Sequence, residues 1–270
     1  MKDTNLNAVK MLLSVAVFVC FALAFSINIA AQKTEMPARE FINITVVSVK
    51  PEMVPDFEQM IKTEYNPAFT KGGGTNSEVW QTVFGDGFEY YFAQPISKFA
   101  QLDGPSPLEK GLGADGAKSF FAKASKMVTG VRSFVIQTRP DMSYMPELNA
   151  PPKVAVAVYL RVNPGKNAEF ENYMMNDQLP VIKKSGIPGF WVSKVVFGGN
   201  GNEYIALVLQ KDFADLDNGP PISRVLKPEE AMKLNQKMSA GVMENMELNV
   251  MRFNSDLSIM PAPTAPTAKK

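Results

Sequence analysis

Two carboxylates stand at corresponding places in the chain: Glu64 and Asp177, 113 positions apart. Each sits where apolar residues recur at helical spacing, on the row 57, 61, 64, 68 in one case and 170, 174, 177, 181 in the other. A carboxylate on a mostly apolar stripe has its charged form disfavoured and its pKa raised, which suits a general acid or base. The structural alternative is that each side chain swings outward or bonds amides freed near Pro67 and Pro180.

A second set is aromatic. Trp80 and Trp191 fall in corresponding strands and, their aligned positions differing by two, share one face. Tyr90, Tyr91 and Tyr204 lie in the neighbouring strands, with Tyr65 and Tyr173 on helices. Together they can line a slot for a flat apolar ligand, or serve as ordinary core. Arg161 interrupts an apolar strand beside Tyr159, where it can hold a ligand carboxylate bidentately or pair with Glu203 across the sheet.

Composition removes other chemistries. The chain has no histidine, and its one cysteine is Cys20. Ser-His-Asp and Cys-His nucleophiles, thiolate or imidazole zinc sites and histidine-ligated haem are therefore excluded. Proton transfer would have to use Asp, Glu, Lys or Tyr. No EF-hand-like loop or dense carboxylate cluster stands out, so neither a metal nor another cofactor is expected.

Lys2 and Lys10 precede an apolar run, Met11–Phe25, that ends in small residues before Gln32. This pattern reads as a secretory signal over 1–31, with an uncleaved anchor as the alternative. Without 1–31 the chain keeps 26 basic and 26 acidic residues. A neutral, thiol-free chain suits a periplasmic or secreted protein, with no nucleic-acid partner and no membrane contact after cleavage. The tail, 262–270, is too poor in apolar residues to pack and is expected to be disordered.

The elements that must position these residues come in two copies. FAQLDGPSPL at 99–108 returns as FADLDNGPPI at 213–222. Phe57-Glu58 pairs with Phe170-Glu171 and Phe84-Gly85 with Phe197-Gly198 at an offset of 113; Glu89-Tyr90 pairs with Glu203-Tyr204 at 114. Asp141 and Asp256 stand 115 apart, so the chain is a tandem duplication of one unit of roughly 110 residues. Each unit, 41–146 and 153–261, reads as strand, helix, strand, strand, helix, strand. The prolines are expected to end or kink the first helices. Gly85-Asp86-Gly87 and Gly198–Gly201 mark hairpin turns. In the repeated decapeptides, Phe99/Phe213 and Leu102/Leu216 are expected to bury against the sheet, and Asp103/Asp217 to cap local amides.

This is an α+β architecture of two tandem ferredoxin-like βαββαβ units, with four-stranded antiparallel sheets packed face to face. The order, the duplication and the broken helix resemble the dimeric α/β-barrel superfamily, here as a pseudo-dimer within one chain. The antibiotic-biosynthesis-monooxygenase group is the nearest analogy. That resemblance implies a pocket more than an activity, since the superfamily holds cofactor-free monooxygenases, haem enzymes and proteins without known reaction. The leading expectation is an exported protein that binds a small apolar or aromatic molecule between helices and sheet. A cofactor-independent monooxygenase or isomerase using Glu64 and Asp177 is the alternative, and a noncatalytic protein-interaction module is the third reading.

Overall fold

The structure, a computed structural model, describes residues 38–146, 152–239 and 241–260. The expected signal, 1–31, and the expected disordered tail, 262–270, lie outside the described residues.

Each unit contributes four strands: β1 (Phe41–Val49), β2 (Glu78–Phe84), β3 (Glu89–Ile96) and β4 (Val128–Thr138), then β5 (Val154–Val162), β6 (Gly189–Phe197), β7 (Glu203–Gln210) and β8 (Met243–Phe253). Within a unit the spatial order is β4-β1-β3-β2 and β8-β5-β7-β6, all antiparallel. The sheets face one another across a shared interior, and they also join at their edges. β2 pairs with β8 (Trp80 opposite Phe253) and β4 with β6 (Ile136 opposite Val195), which closes an eight-stranded barrel. Closure leaves no free sheet edge among these strands.

Because strand side chains alternate, each sheet has two buried faces. Val46, Trp80, Tyr91, Phe134, Ala155, Ala157 and Met251 fill the barrel. On the outer faces, Phe57, Met60, Val79 and Tyr90 pack under the helices of the first unit; Phe170, Met174, Val192 and Tyr204 do so in the second. This two-sided burial explains why β5 is apolar at eight of its nine positions and β1 at six.

The helices run past their prolines. In the first unit α1 (Val54–Met60) passes through a widened turn, Ile61–Tyr65, into α2 (Asn66–Lys71). In the second, α4 (Asn167–Tyr173) passes through Met174–Gln178 into α5 (Leu179–Ile182); α3 (Pro107–Ala124) and α6 (Pro228–Ser239) are the second helices of the units. In each widened turn the amide five residues on closes the ring: Asn66 N–H donates to Ile61 O and Leu179 N–H to Met174 O. One extra residue per turn lets the following proline, which lacks an amide donor, enter without ending the helix. The expected break is thus a π turn. The helix α3 opens at Pro107, where Ser106 and Glu109 form a reciprocal cap in front of it. It is kinked at Gly113 (φ 74°, ψ 166°), a backbone conformation that glycine adopts without strain.

Both hairpins turn on glycine at positive φ, Gly85 (131°) and Gly198 (78°), as their spacing predicts. The decapeptides form 3₁₀ turns, Phe99–Leu102 and Ala214–Asn218. In the first the apolar residues do not bury as expected, whereas Phe213 and Leu216 of the second are half-buried. Leu102 is 62% exposed, and the half-exposed Phe99 ring packs on Phe41 of β1 and Phe197 of β6, 5.0 and 5.6 Å away.

Candidate functional site

The layer between helices and sheet differs between the two units. In the first, Tyr65, on the π turn, stacks on Phe69 of α2 (5.5 Å) and meets Phe92 of β3 (5.9 Å) and Phe120 of α3 (6.1 Å). Its hydroxyl accepts from Gln94 Nε2 at 2.7 Å, so the interior there is filled and bonded. At the repeat offsets, these four aromatics correspond to Gln178, Ile182, Ala206 and Leu234. Smaller side chains leave space: a cavity of about 100 Å³ lies against Val158, Leu160, Ala206 and Val208 of the sheet, with Met174, Gln178 and Ile182 along one wall.

The second decapeptide roofs this cavity. In the first unit the corresponding segment runs directly into α3 at Pro107. In the second, α6 begins only at Pro228, and a 3₁₀ turn, Pro221–Arg224, intervenes. Pro220, Pro221 and Ile222 therefore lie over the opening, joined by Met238 and Met246. Arg224 pins the roof, donating to Gly219 O (3.0 Å), Asp215 O (2.8 Å), Asp215 Oδ1 (3.2 Å) and Gln210 Oε1 (3.2 Å).

Two polar atoms in this layer lack partners. Gln178 Oε1, on the cavity wall, and the Tyr173 hydroxyl, one turn earlier, are buried with no hydrogen bond in the structure. Burial, then the nearby charge of Asp177, pushes the Tyr173 hydroxyl up to about 12, so it stays a neutral donor.

The two carboxylates singled out by their helical row do not stand in apolar surroundings. Glu64 is 39% exposed and ion-paired with Lys123 of α3; Asp177 is 35% exposed and 2.8 Å from Lys237 of α6. The π turn rotates them off the sheet-facing row toward the second helix of their own unit. The carboxylates that do reach the interior are Glu58 and Glu171, which accept from the Tyr90 and Tyr204 hydroxyls at 2.8 and 2.7 Å. Their signal was the duplicated Phe-Glu pair, kept in both copies together with the tyrosine. Burial and these carboxylates push both hydroxyls up, which makes the tyrosines fixed donors.

The aromatic set does not form one slot. Tyr90 and Tyr204 face the helices, whereas Trp80, Tyr91 and Trp191 face the barrel interior. Adjacent strand residues such as Tyr90 and Tyr91 point to opposite faces, so no single slot can use both. Arg161 also projects into the barrel, at its hairpin end, and its guanidinium is 2.7 Å from Glu203.

No known protein family profile matches the chain, and no curated protein does. Solved structures do. An anthrone oxidase-like protein superposes with a TM-score of 0.56 at 13% identity, over 81% of this chain and 93% of that one. Another, from Fusobacterium nucleatum, gives 0.55 at 14%, over 81% and 94%; a third, from Lactobacillus acidophilus, gives 0.54 at 10%, over 83% and 97%. The last two are described as candidate monooxygenases. Each superposition extends over most of both chains and so takes in both units. The chain has the ferredoxin-like dimeric α/β-barrel fold, closed as a pseudo-dimer within one polypeptide.

Proposed function

We propose that the protein is an exported binder of a small, largely apolar molecule carrying one hydrogen-bond donor, held in the helix–sheet cavity of the second unit. The observation that carries this reading is the unpartnered Gln178 carbonyl on the wall of an otherwise apolar cavity. An unsatisfied buried acceptor costs about 1–3 kcal/mol, which a ligand donor would recover. The space, about 100 Å³, is somewhat below the ~150 Å³ that admits benzene, so a single ring enters with a small shift of the roof or of the methionines. A haem does not fit this cavity, because a porphyrin needs several times its space.

The test is native mass spectrometry of the mature chain with phenol and with toluene. Phenol should bind about tenfold more tightly, the worth of one recovered hydrogen bond. Ala206→Phe, which installs the residue of the first unit's matching position, should abolish binding of both. Unchanged binding in that variant would overturn the proposal.

The fold neighbours described as monooxygenases and as anthrone oxidase-like favour a second reading, cofactor-independent oxygenation or isomerisation in the same cavity. Glu64 and Asp177 are poor candidates for its base, because each is bonded to a lysine outside the cavity. The polar side chain on the wall itself is Gln178, which can orient a substrate but not take its proton.

A further inference from the structure

The barrel has a second cavity, independent of the first. It occupies about 430 Å³ at the mouth between the two hairpins, inside the strands rather than under the helices. Tyr91, Phe134, Val195 and Ile205 form its apolar floor.

The rim breaks the symmetry of the repeat. Arg132 on β4 and Glu247 on β8 occupy matching positions, 115 apart, so the two halves place opposite charges at equivalent sites around the mouth. Among the described residues Arg132 has no carboxylate within ion-pair distance; its guanidinium carbon lies 5.2 Å over the Phe134 ring. Burial pushes the Tyr159 hydroxyl, also lining the mouth, up; the charge of Arg132 opposes this, and those of Glu89 and Asp86 add to it. Anionic charge is in surplus around Arg161, where Glu203 is at 2.7 Å, Glu244 at 3.9 Å, and Glu247 adds its field. Glu247 itself accepts from Asn245 Nδ2 at 2.7 Å, and Asp86 adds a further negative charge to the rim.

An anion alone would be repelled by this surplus, and a cation alone would leave Arg132 unmatched. We infer that the barrel mouth binds a small zwitterion of the α-amino-acid class, with its carboxylate on Arg132 and Tyr159, its ammonium toward Glu247, and an apolar side chain on the floor. The charges are exposed to solvent, so binding should weaken as salt is raised. The cavity exceeds the size of one amino acid, so the side chain on the floor can be as large as a phenyl ring.

The experiment is isothermal titration of the mature chain with L-phenylalanine, L-phenylalaninamide, which lacks the carboxylate, and N-acetyl-L-phenylalanine, which lacks the ammonium. L-Phenylalanine should bind, and each capped analogue should bind at least tenfold more weakly. Arg132→Gln and Glu247→Gln should each cost about tenfold with an unchanged thermal midpoint, since both side chains are exposed. Ala206→Phe, which fills the other cavity, should leave this binding intact, so failure at one site is separable from failure at the other. No binding of L-phenylalanine, equal binding of a capped analogue, or full binding by Arg132→Gln would each overturn the inference.

Discussion

Arg139 and Glu171 join the two halves of the molecule by two parallel contacts: Nη1 to Oε1 at 2.5 Å and Nη2 to Oε2 at 3.0 Å. Arg139 follows the last strand of the first repeat, and Glu171 lies on the first helix of the second. The same guanidinium holds Asp141 at 2.7 and 2.9 Å, and Glu171 also takes the Tyr204 hydroxyl. In the first unit Glu58 meets Tyr90 alike, but the residue matching Arg139 is Asn254. The carboxylate–tyrosine pair thus belongs to the repeated unit, and the arginine is a fastener between copies.

Arg139→Met should be among the most damaging single changes. The arginine side chain is 5% exposed, and its removal leaves Glu171 without its ion-pair partner and Asp141 with only Arg39, at 3.6 Å. A loss of about 3 kcal/mol is expected, the scale for breaking a buried pair from one side. Urea unfolding of the variant measures it, and Tyr204→Phe, which removes one neutral donor, should cost about 1 kcal/mol.

The same cluster sets a pH dependence. Hydrogen bonds and charge from Arg139 hold Asp141 below the usual carboxylate range. Burial pushes Glu171 up, but bonds from Arg139 and Tyr204 outweigh it and leave that group lowered too. As acid is added, the unfolded chain, with carboxylates near ~4, binds these protons before the folded one. The stabilisation is complete above about pH 5 and disappears as pH falls through the lowered folded values. The penalty of Arg139→Met should therefore be largest at pH 6 and shrink at pH 3; equal penalties would contradict the assignment.

Exchange of matching residues tests the divergence of the two interiors. Phe92→Ala empties space that Tyr65 packs against and should cost about 3–4 kcal/mol. Ala206→Phe, at the matching position, enters an existing cavity and should stay within about 1.5 kcal/mol of the parent. Denaturant midpoints of the two variants measure this, and similar losses in both would mean that the second interior is already full.

The duplicated parts were readable because they answer to backbone rules. Glycines at positive φ, prolines and alternating apolar residues must recur wherever the same path recurs, so element order survived in the pattern. Partners across long separations left no such trace. Nothing local distinguishes β2 pairing with β8 from two sheets merely stacked, and Lys123 and Lys237 stand 59 and 60 positions from the carboxylates they bind. The cavity was invisible for a related reason. It arises from reductions in side-chain size at 178, 182 and 206, each unremarkable alone, and it becomes legible only when the halves are superposed.

Glu64 and Asp177 provide the last test, since the helical pattern gave them a chemical role and the fold gives them lysines. Both pairs are more than one-third exposed on each side, so solvent screens them and each should contribute about 0.2–1 kcal/mol. Glu64→Gln and Asp177→Asn should therefore lower the unfolding free energy by no more than this, with the difference fading as salt rises. Asp177→Asn also removes the charge that helps push the Tyr173 hydroxyl up, so the tyrosine's titration, followed by its ultraviolet absorbance, should begin at lower pH. Ligand retention in the helix–sheet cavity of the second unit should not change in either variant, because neither carboxylate lines it. A loss of binding in Asp177→Asn with the fold intact would return the carboxylate to the site and favour the catalytic reading over the binding one.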